Sequence, residues 1–239
     1  MFKYMTMNKK ILNILAVATI SLLSLNSCDK ETEGLTRITV YPTIELVGGD
    51  VVVDKGTAYV EPGYTSMMGA EDVTSGVQVF SNVDTENSGV YSITYSTVLN
   101  EDGFGATATR TVVVLDPNDP VEGFYAVTPD SYRDMDGAIA EFGSPFEILI
   151  LGEGDGVYHV DDLVAGWYCQ RAAYGTDYAM EAEIQIDGSD VSLLGSYVPG
   201  WGDTADDFHD ASYDAATNTF KYAVDYAGSM TFYITLVKE

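Results

Sequence analysis

Alternation of apolar and polar side chains over residues 90–98 constrains the fold of this chain most. In "VYSITYSTV" one face carries Tyr91, Ile93 and Tyr95, and the other carries serine and threonine. Successive side chains of a strand point to opposite faces, so this period predicts a half-buried antiparallel strand. A second β-rich run, "ATATRTVVV" (106–114), follows the turn sequence "NEDGFG". The two runs together predict a β-hairpin.

Similar short runs continue along the chain, whereas long helical periodicity is hard to find after residue 28. Two further runs come before the hairpin, "ITVYPTIEL" and "GVQVF". Seven runs come after it, separated by Gly, Asp and Asn turns: "GFYAVT", "FEILILG", "GVYHVDDL", "MEAEIQID", "VSLLGSYV", "TFKYAVDY" and "MTFYITLV". Such spacing predicts an all-β protein, with a second β-sandwich or small β-barrel in its C-terminal half.

The segment "DPNDP" (116–120) interrupts the strand pattern. Its prolines cannot donate to a β-ladder and fix φ, so the segment is interpreted as a short, stiff linker. The predicted organisation is therefore a first domain at 38–116, a linker at 117–120 and a second domain at 121–239.

The N-terminus has the pattern of a secretory signal. Lys9 and Lys10 precede an apolar run from Ile11 to Leu25, which is short for a permanent membrane span. The sequence "LNSC" at its end resembles a bacterial lipobox. This resemblance implies that residues 1–27 are a signal peptide and that Cys28 carries the acyl chains of a membrane anchor. The alternative is a plain signal peptide with an incidental cysteine.

Residues 28–37 are predicted to be the acylated cysteine and a flexible tether. The acidic stretch "DKETE" directly after Cys28 resembles the export signal of Bacteroidota-type surface lipoproteins. That resemblance implies an address on the extracellular side of the outer membrane. A solvated tether would have the same composition without being a signal.

Three segments of the first domain resemble a bacterial Ig-like domain: "KGTAYVEPGYT", "GVYSITY" and "GATATRTVVV". The resemblance covers nearly all of residues 38–116 and implies a seven-stranded sandwich that serves as a spacer or adhesion module, without catalysis. In the second domain, "VDDLVAGWYCQRAAYGTDYAMEAEI", "VPGWGDTADDFHDASYD" and "VDYAGSMTFYITL" resemble the C-terminal domain of uncharacterised Bacteroidota-type surface lipoproteins. That family implies no settled activity.

The charge balance limits the partners. The chain has 37 Asp and Glu against 11 Lys and Arg, a formal net charge of −26. Such a surface repels phosphate backbones, so we do not expect the chain to bind nucleic acid. Hydrophobic residues make up 46% of the chain, which is typical of a globular protein rather than an acidic disordered one.

A candidate ligand site lies in the second domain. Trp201, in the glycine-flanked loop "PGWGD", has no strand pattern that would bury it, and aromatic faces with nearby polar groups suit sugars. Trp167 and Tyr168 are adjacent, so on a strand one would be buried and the other exposed. Packing of the sandwich end is the competing interpretation for these aromatic residues. The candidate ligand-binding residues are Trp201, Asp203, Asp206, Asp207, Tyr168, Arg171, Tyr174 and Tyr178.

Catalysis, metals and cofactors are not predicted. The chain contains no G-x-S-x-G, H-E-x-x-H or P-loop motif. His159 alternates within a strand, and His209 is predicted to lie in an acidic surface loop. Cys169, among apolar neighbours, is interpreted as a small buried hydrophobe. The acidic runs offer oxygens to Ca²⁺ without EF-hand spacing, so solvated turns are the default.

The sequence thus predicts a non-catalytic, lipid-anchored protein of the cell surface with two all-β domains. The C-terminal domain is expected to bind extracellular polysaccharide, with outer-membrane glycan-uptake proteins as partners and the Ig-like domain as a spacer. The alternative is a structural or adhesion protein that binds a protein partner.

Overall fold

The computed structural model describes residues 38–143 and 145–239. The predicted signal peptide, Cys28 and tether lie outside this part of the chain. Nearly all regular structure in the described residues is β, in an N-terminal Ig-like domain and a C-terminal β-barrel. None of the helices within these ranges has the length and apolar character that a bilayer crossing requires.

The Ig-like domain contains seven strands in two sheets, as predicted. The three-stranded sheet has the order β1-β3-β4: β1 (Pro42–Leu46), β3 (Tyr64–Met68) and β4 (Glu71–Asp72). The four-stranded sheet has the order β2-β7-β6-β5: β2 (Val51–Asp54), β7 (Thr107–Leu115), β6 (Gly89–Ser96) and β5 (Gln78–Ser81). Ile93, Tyr95 and Val112 lie in the core between the sheets, because the period-2 pattern turns them all inward.

The junction between the domains centres on Glu122, which is buried. Its carboxylate accepts hydrogen bonds from Ser88 Oγ in the Ig-like domain (3.0 Å) and from the Gly152 N–H in the barrel (2.8 Å). It also accepts the backbone N–H of Asp116, the residue after β7. A single side chain therefore connects both domains to the segment that joins them.

The C-terminal domain is an eight-stranded antiparallel barrel, which decides between the two predicted architectures. Its strands pair in chain order, and the first and last close the circle through Leu236↔Val127 and Val237↔Ala126. The strands are β8 (Gly123–Val127), β11 (Glu147–Gly154), β12 (Val157–Val160), β13 (Glu181–Asp187), β14 (Asp190–Tyr197), β15 (Asp207–Asp214), β16 (Thr219–Tyr226) and β17 (Met230–Lys238).

Three strands of this domain lie outside the predicted runs. A hairpin of β9 (Tyr132–Met135) and β10 (Ala138–Glu141) extends the sheet beside the N-terminal half of β17. The third is β15, which contains His209. The prediction that His209 lies in a loop was therefore wrong. Strand β15 was missed because its sequence is rich in Asp. The Asp side chains are exposed, whereas Phe208 and Tyr213 pack against the barrel core.

Side chains fill the barrel interior. Tyr125, Phe220 and Phe232 are fully buried there among aliphatic residues. An apolar gap between Val191, Phe208 and Tyr222 has a volume of about 10 Å³, scarcely enough for one water molecule. A ligand site of this domain must therefore lie on its surface or at one of its ends.

The barrel wall is weakest between β14 and β15. These strands share one register pair, Asp190↔Ser212, whereas the other neighbouring strands of the barrel share three or more. Nearer the connection at 198–206, Ala205 donates its N–H to Ser196 Oγ (3.0 Å). This connection contains Trp201, so the predicted site adjoins the part of the barrel wall with the fewest register pairs.

Candidate functional site

The loop that carries Trp201 is held by its own backbone. Val198 donates its N–H to the Asp203 carbonyl (2.8 Å), and the N–H of Gly202 returns to the Val198 carbonyl (2.7 Å). Gly200 donates to the Asp177 carbonyl, and a Cβ at Gly200 would lie 2.7 Å from the Tyr178 ring. Only glycine permits this close approach. The loop therefore presents the indole in a defined position.

Five aromatic rings meet at this loop and are called the aromatic cluster: Tyr168, Tyr174, Tyr178, Trp201 and Tyr226. The indole centroid lies 4.7 Å from that of Tyr168, 4.9 Å from that of Tyr178, and 6.3 Å from those of Tyr174 and Tyr226. Edge-to-face contacts of this kind stabilise an aromatic group beyond the area it buries. The rings form one continuous unit.

The cluster runs from the core to the surface. Tyr226 is buried, while Trp201 retains 42% and Tyr174 57% of its accessible surface. Both exposed rings are large and apolar, and they adjoin one another. Such a patch of exposed apolar rings is typical of an interaction site.

The segment before the cluster is a single π-helical turn, Trp167–Arg171, and the expectation that Trp167 and Tyr168 lie on a strand was wrong. Gly166 begins the turn with a positive φ of 78°, and a Cβ there would lie 2.8 Å from Phe146. The extra residue of the turn sends Trp167 into the core, against Phe142, and leaves Tyr168 half-buried beside Trp201. The predicted split between core and surface therefore arises from a different local structure.

Arg171 does not join the cluster. Its guanidinium stacks over the Trp167 ring at 4.1 Å, and its Nε donates to the Phe142 carbonyl (3.1 Å). The structure therefore places Arg171 as an exposed cap over the buried indole of Trp167.

The three predicted carboxylates have separate partners. Both Asp203 oxygens accept the Tyr226 hydroxyl at 2.9 Å, and Asp206 Oδ2 accepts the Gly228 N–H at 2.7 Å. Asp207 begins β15 and accepts the N–H of Phe208. Asp203 and Asp206 thus lie beside the cluster, whereas Asp207 belongs to the strand.

A groove of about 410 Å³ adjoins the cluster. Its lining includes Asp206, Asp225, Tyr226 and Met230, so it combines carboxylate oxygens with an apolar floor. The Tyr168 hydroxyl contacts Met230 Sδ at 3.5 Å, which connects the groove to the rings. Burial, together with the hydrogen bond to Asp203, raises the pKa of Tyr226 well above its usual value.

Sequence reasoning missed Tyr226 and Met230. Both belong to runs that alternate as core strands, and only the β16–β17 register (Tyr226↔Met230) brings them to the end of the barrel beside Trp201. The signal that could have found them is their position, because each lies at the terminus of a strand next to a glycine turn.

The remaining reactive groups are placed for structure. The Cys169 thiol donates to Asp162 (3.1 Å), and burial raises its pKa, the reverse of what a nucleophilic thiol needs. His209 pairs with Asp210 (3.1 Å) on the barrel surface. Within residues 38–143 and 145–239, no group of three or more His, Cys, Asp or Glu side chains is arranged to hold a metal ion.

Comparison with known proteins places the chain. Residues 44–114 match the family described as bacterial surface protein, Ig-like domain, and residues 115–238 match a second family, described only as a C-terminal domain. The crystal structure of the lipoprotein BT2262 from Bacteroides thetaiotaomicron is 39% identical and superposes with a TM-score of 0.73. The match covers 83% of this chain and 100% of that one. This chain belongs to the family of that lipoprotein.

The family membership explains the order of the domains, since the Ig-like part and the C-terminal barrel are both included in the lipoprotein match. Two chains containing the CBM51-2 and INT domains of Clostridium perfringens ZmpB also match, at 14% and 15% identity with TM-scores of 0.27 and 0.26. Each match covers 82% of this chain and 44% of the other. No curated protein matches the sequence. Neither family description names an enzymatic activity.

Proposed function

We propose that this chain is a non-catalytic lipoprotein, anchored by acylated Cys28 on the extracellular side of the outer membrane, whose barrel binds extracellular glycan. The Ig-like domain serves as the spacer, and outer-membrane glycan-uptake proteins are the partners that receive the glycan. The resemblance of residues 25–28 to a lipobox and the lipoprotein relative support the anchor.

The aromatic cluster is the observation that carries the binding role. Sugar rings present C–H faces, which stack on aromatic rings, and hydroxyl rims, which donate to carboxylates. Trp201 and Tyr174 offer exposed rings, and Asp203 and Asp206 lie at the edge of the same patch. The groove beside Tyr226 gives a chain of sugars room to continue.

The position of the cluster supports the spacer role. Strand β17 begins at Met230, beside the cluster, and ends at Lys238, whose Nζ donates to the Pro120 carbonyl at the domain junction (2.8 Å). Nine residues of strand separate these two points, or roughly 30 Å at about 3.4 Å per residue. The cluster therefore lies at the end of the barrel that faces away from the Ig-like domain.

Affinity electrophoresis and a glycan array, run on the mature chain, test this function. We expect wild type to bind at least one polysaccharide, Trp201→Ala to lose most of that binding, and Phe80→Ala to retain it. Phe80 is a matched control because it is an exposed aromatic residue on the edge strand of the other domain.

Two results would count against the proposal. Equal glycan retention by the Trp201→Ala variant would remove the cluster from the site. Failure of wild type to bind any glycan, combined with Trp201-dependent capture of a polypeptide, would favour the adhesion alternative.

A further inference from the structure

The end of the Ig-like domain that receives the chain from its N-terminus carries exposed apolar side chains. Five of them form a surface called the tip: Ile38, Val40, Tyr41, Leu99 and Phe104. Ile38 is 86% and Leu99 66% exposed, and the other three are also exposed. A contiguous patch of exposed apolar side chains is typical of a surface that contacts a protein, a membrane or a ligand.

The tip is an ordered part of the domain. Asn100 donates its Nδ2–H to the Val40 carbonyl (2.7 Å), and Thr39 Oγ1 donates to Asp102 Oδ2 (2.9 Å). The rings of Tyr41 and Phe104 pack with their centroids 5.2 Å apart. These contacts fix the entering chain onto the loop between β6 and β7, so the apolar groups are presented together.

The tip and the barrel lie at opposite ends of the Ig-like domain. Strand β7 starts at Thr107, next to the tip loop, and ends at Leu115, next to the junction with the barrel. Its nine residues span roughly 30 Å. The apolar end is therefore the end nearest to the predicted anchor, and the aromatic cluster is at the far end of the molecule.

We propose that the tip rests on the bilayer that holds the acyl chains of Cys28. This inference rests on the lipid anchor of the proposed function. Ten chain steps separate Cys28 from Ile38, and an extended chain reaches at most about 3.6 Å per residue, or roughly 36 Å. The tip is therefore always within reach of the membrane surface, and tyrosine side chains favour that interface.

Acidic residues set the depth of the contact. Glu71, Glu101 and Asp102 line the same cavity, of about 390 Å³, as Ile38 and Val40. Moving carboxylates into hydrocarbon is costly, so the apolar side chains are expected to enter only the headgroup region. The negative charge also opposes anionic lipid, and this repulsion is screened by salt. Contact is thus expected to be stronger on zwitterionic than on anionic bilayers, with the difference shrinking as salt is added.

The test places a tryptophan reporter at the tip of the full acylated protein. Phe104→Trp probes the tip, and Phe80→Trp is the matched control, since both replace an exposed phenylalanine of the same domain. Wild type supplies the background of Trp167 and Trp201. The proteins are reconstituted into phosphatidylcholine vesicles with and without brominated acyl chains, then into vesicles containing one-third phosphatidylglycerol at low and high salt.

We expect brominated lipid to quench the added emission of Phe104→Trp severalfold more than that of Phe80→Trp, and flotation to recover all three proteins with the vesicles. Equal quenching of the two reporters would overturn the tip contact while leaving the anchor intact. Failure of all three proteins to float would overturn the anchor and the tip contact together. A concentration-dependent blue shift of Phe104→Trp without lipid would show that a second copy covers the tip, and would also overturn the proposal.

Discussion

Tyr168 meets Trp201 edge to face, with the ring planes at 90° and the centroids 4.7 Å apart. Tyr178 approaches the same indole at 4.9 Å and 60°. The neighbouring rings thus hold Trp201 in one position, although 42% of its surface is exposed to solvent. A side chain that is both fixed and exposed loses little conformational entropy when a ligand covers it.

This arrangement predicts that Trp201→Ala weakens glycan binding clearly but lowers stability only moderately. Loss of stacking on one ring face should weaken glycan binding by roughly 1–2 kcal/mol, or about tenfold, from the apolar area removed. The free energy of unfolding should fall by less than the ~3–5 kcal/mol of a fully buried aromatic residue. A thermal melt beside an affinity gel measures both quantities. A full core-sized loss of stability with unchanged gel retardation would refute the binding role.

Chelation of divalent metal should leave the melting temperature unchanged. Asp203 and Asp206 already accept hydrogen bonds from Tyr226 and Gly228, so the loop is held without a cation. Asp206→Ala should lower the melting temperature, since it leaves the Gly228 N–H without its acceptor. The check is a melt of wild type and variant with and without EDTA. A drop in wild type alone on adding EDTA would instead indicate bound Ca²⁺.

Asp161 should make stability fall as the pH rises. Burial, with the neighbouring Asp162 carboxylate adding to it, raises the pKa of Asp161 to about 7. A carboxyl group whose folded pKa exceeds its unfolded value favours the folded state below the unfolded pKa. That contribution is lost as the pH rises through about 7. Denaturant midpoints should therefore decline between pH 5 and pH 8.

Asp161→Asn should flatten this pH dependence, because the amide oxygen can still accept the Leu149 N–H that Asp161 Oδ1 accepts now (2.9 Å). Asp190→Asn, at an exposed position of β14, controls for the change in net charge. If both variants shift the midpoints equally, the effect comes from general charge repulsion and the Asp161 argument fails.

The sequence predicted β6 from its alternating polarity and missed β15, where acidic residues and a bulge obscure the alternation. In β6, Ile93 and Tyr95 alternate with Thr94 and Ser96, and the strand follows from that pattern alone. In β15, Asp207 and Asp210 stand among turn-forming residues, and a register shift between His209 and Ser212 breaks the alternation. A search for strict alternation cannot detect a strand that contains such a bulge, because the bulge shifts the following side chains to the other face.

The candidate site was partly visible for a similar reason. Tyr168, Tyr174, Tyr178 and Trp201 lie outside the strands, where no alternating pattern accounts for an aromatic residue. Tyr226 was hidden because it ends a well-patterned strand, and its place beside Trp201 depends on barrel closure. Long-range register of that kind is not encoded in any local window.

Glu122 should couple the two domains. Glu122→Ala removes the acceptor of Ser88, Gly152 and Asp116 at once, and each of these part-buried donors left unpaired costs less than the ~1–3 kcal/mol of a fully buried one. Calorimetry of Glu122→Ala should show a transition that is broader and has a lower melting temperature than that of wild type. The melting temperature of Glu122→Gln should lie between those of Glu122→Ala and wild type. An unchanged melt of Glu122→Ala would show that the junction contributes nothing to stability.

Residues 38–116 and 121–239 should each fold alone, because each has its own core. Each fragment should melt cooperatively but at a lower temperature than in the full chain, since the Ser88–Glu122 contact is lost. Circular dichroism of the separate fragments measures this. Absence of a cooperative transition in both would show that the boundary at 117–120 is misplaced.

Cys28→Ser should release the protein from membranes or stall its precursor, because the thiol proposed to accept the acyl chains is gone. Metabolic labelling with a fatty acid and fractionation of cells measure the two effects. A variant that carries no lipid label but stays fully in the membrane fraction would contradict the lipoprotein anchor.

Closure of the barrel by its first and last strands has a consequence for how the protein is made. A chain synthesised from its N-terminus delivers β1 to β7 early, so the Ig-like domain can complete its parallel β2–β7 pairing first. The barrel, in contrast, stays an open sheet with two unsatisfied edges until residues 230–238 emerge to join β8. Strand β17 therefore acts as the closing step of biogenesis. The interval before its arrival is when the chain is most exposed to aggregation.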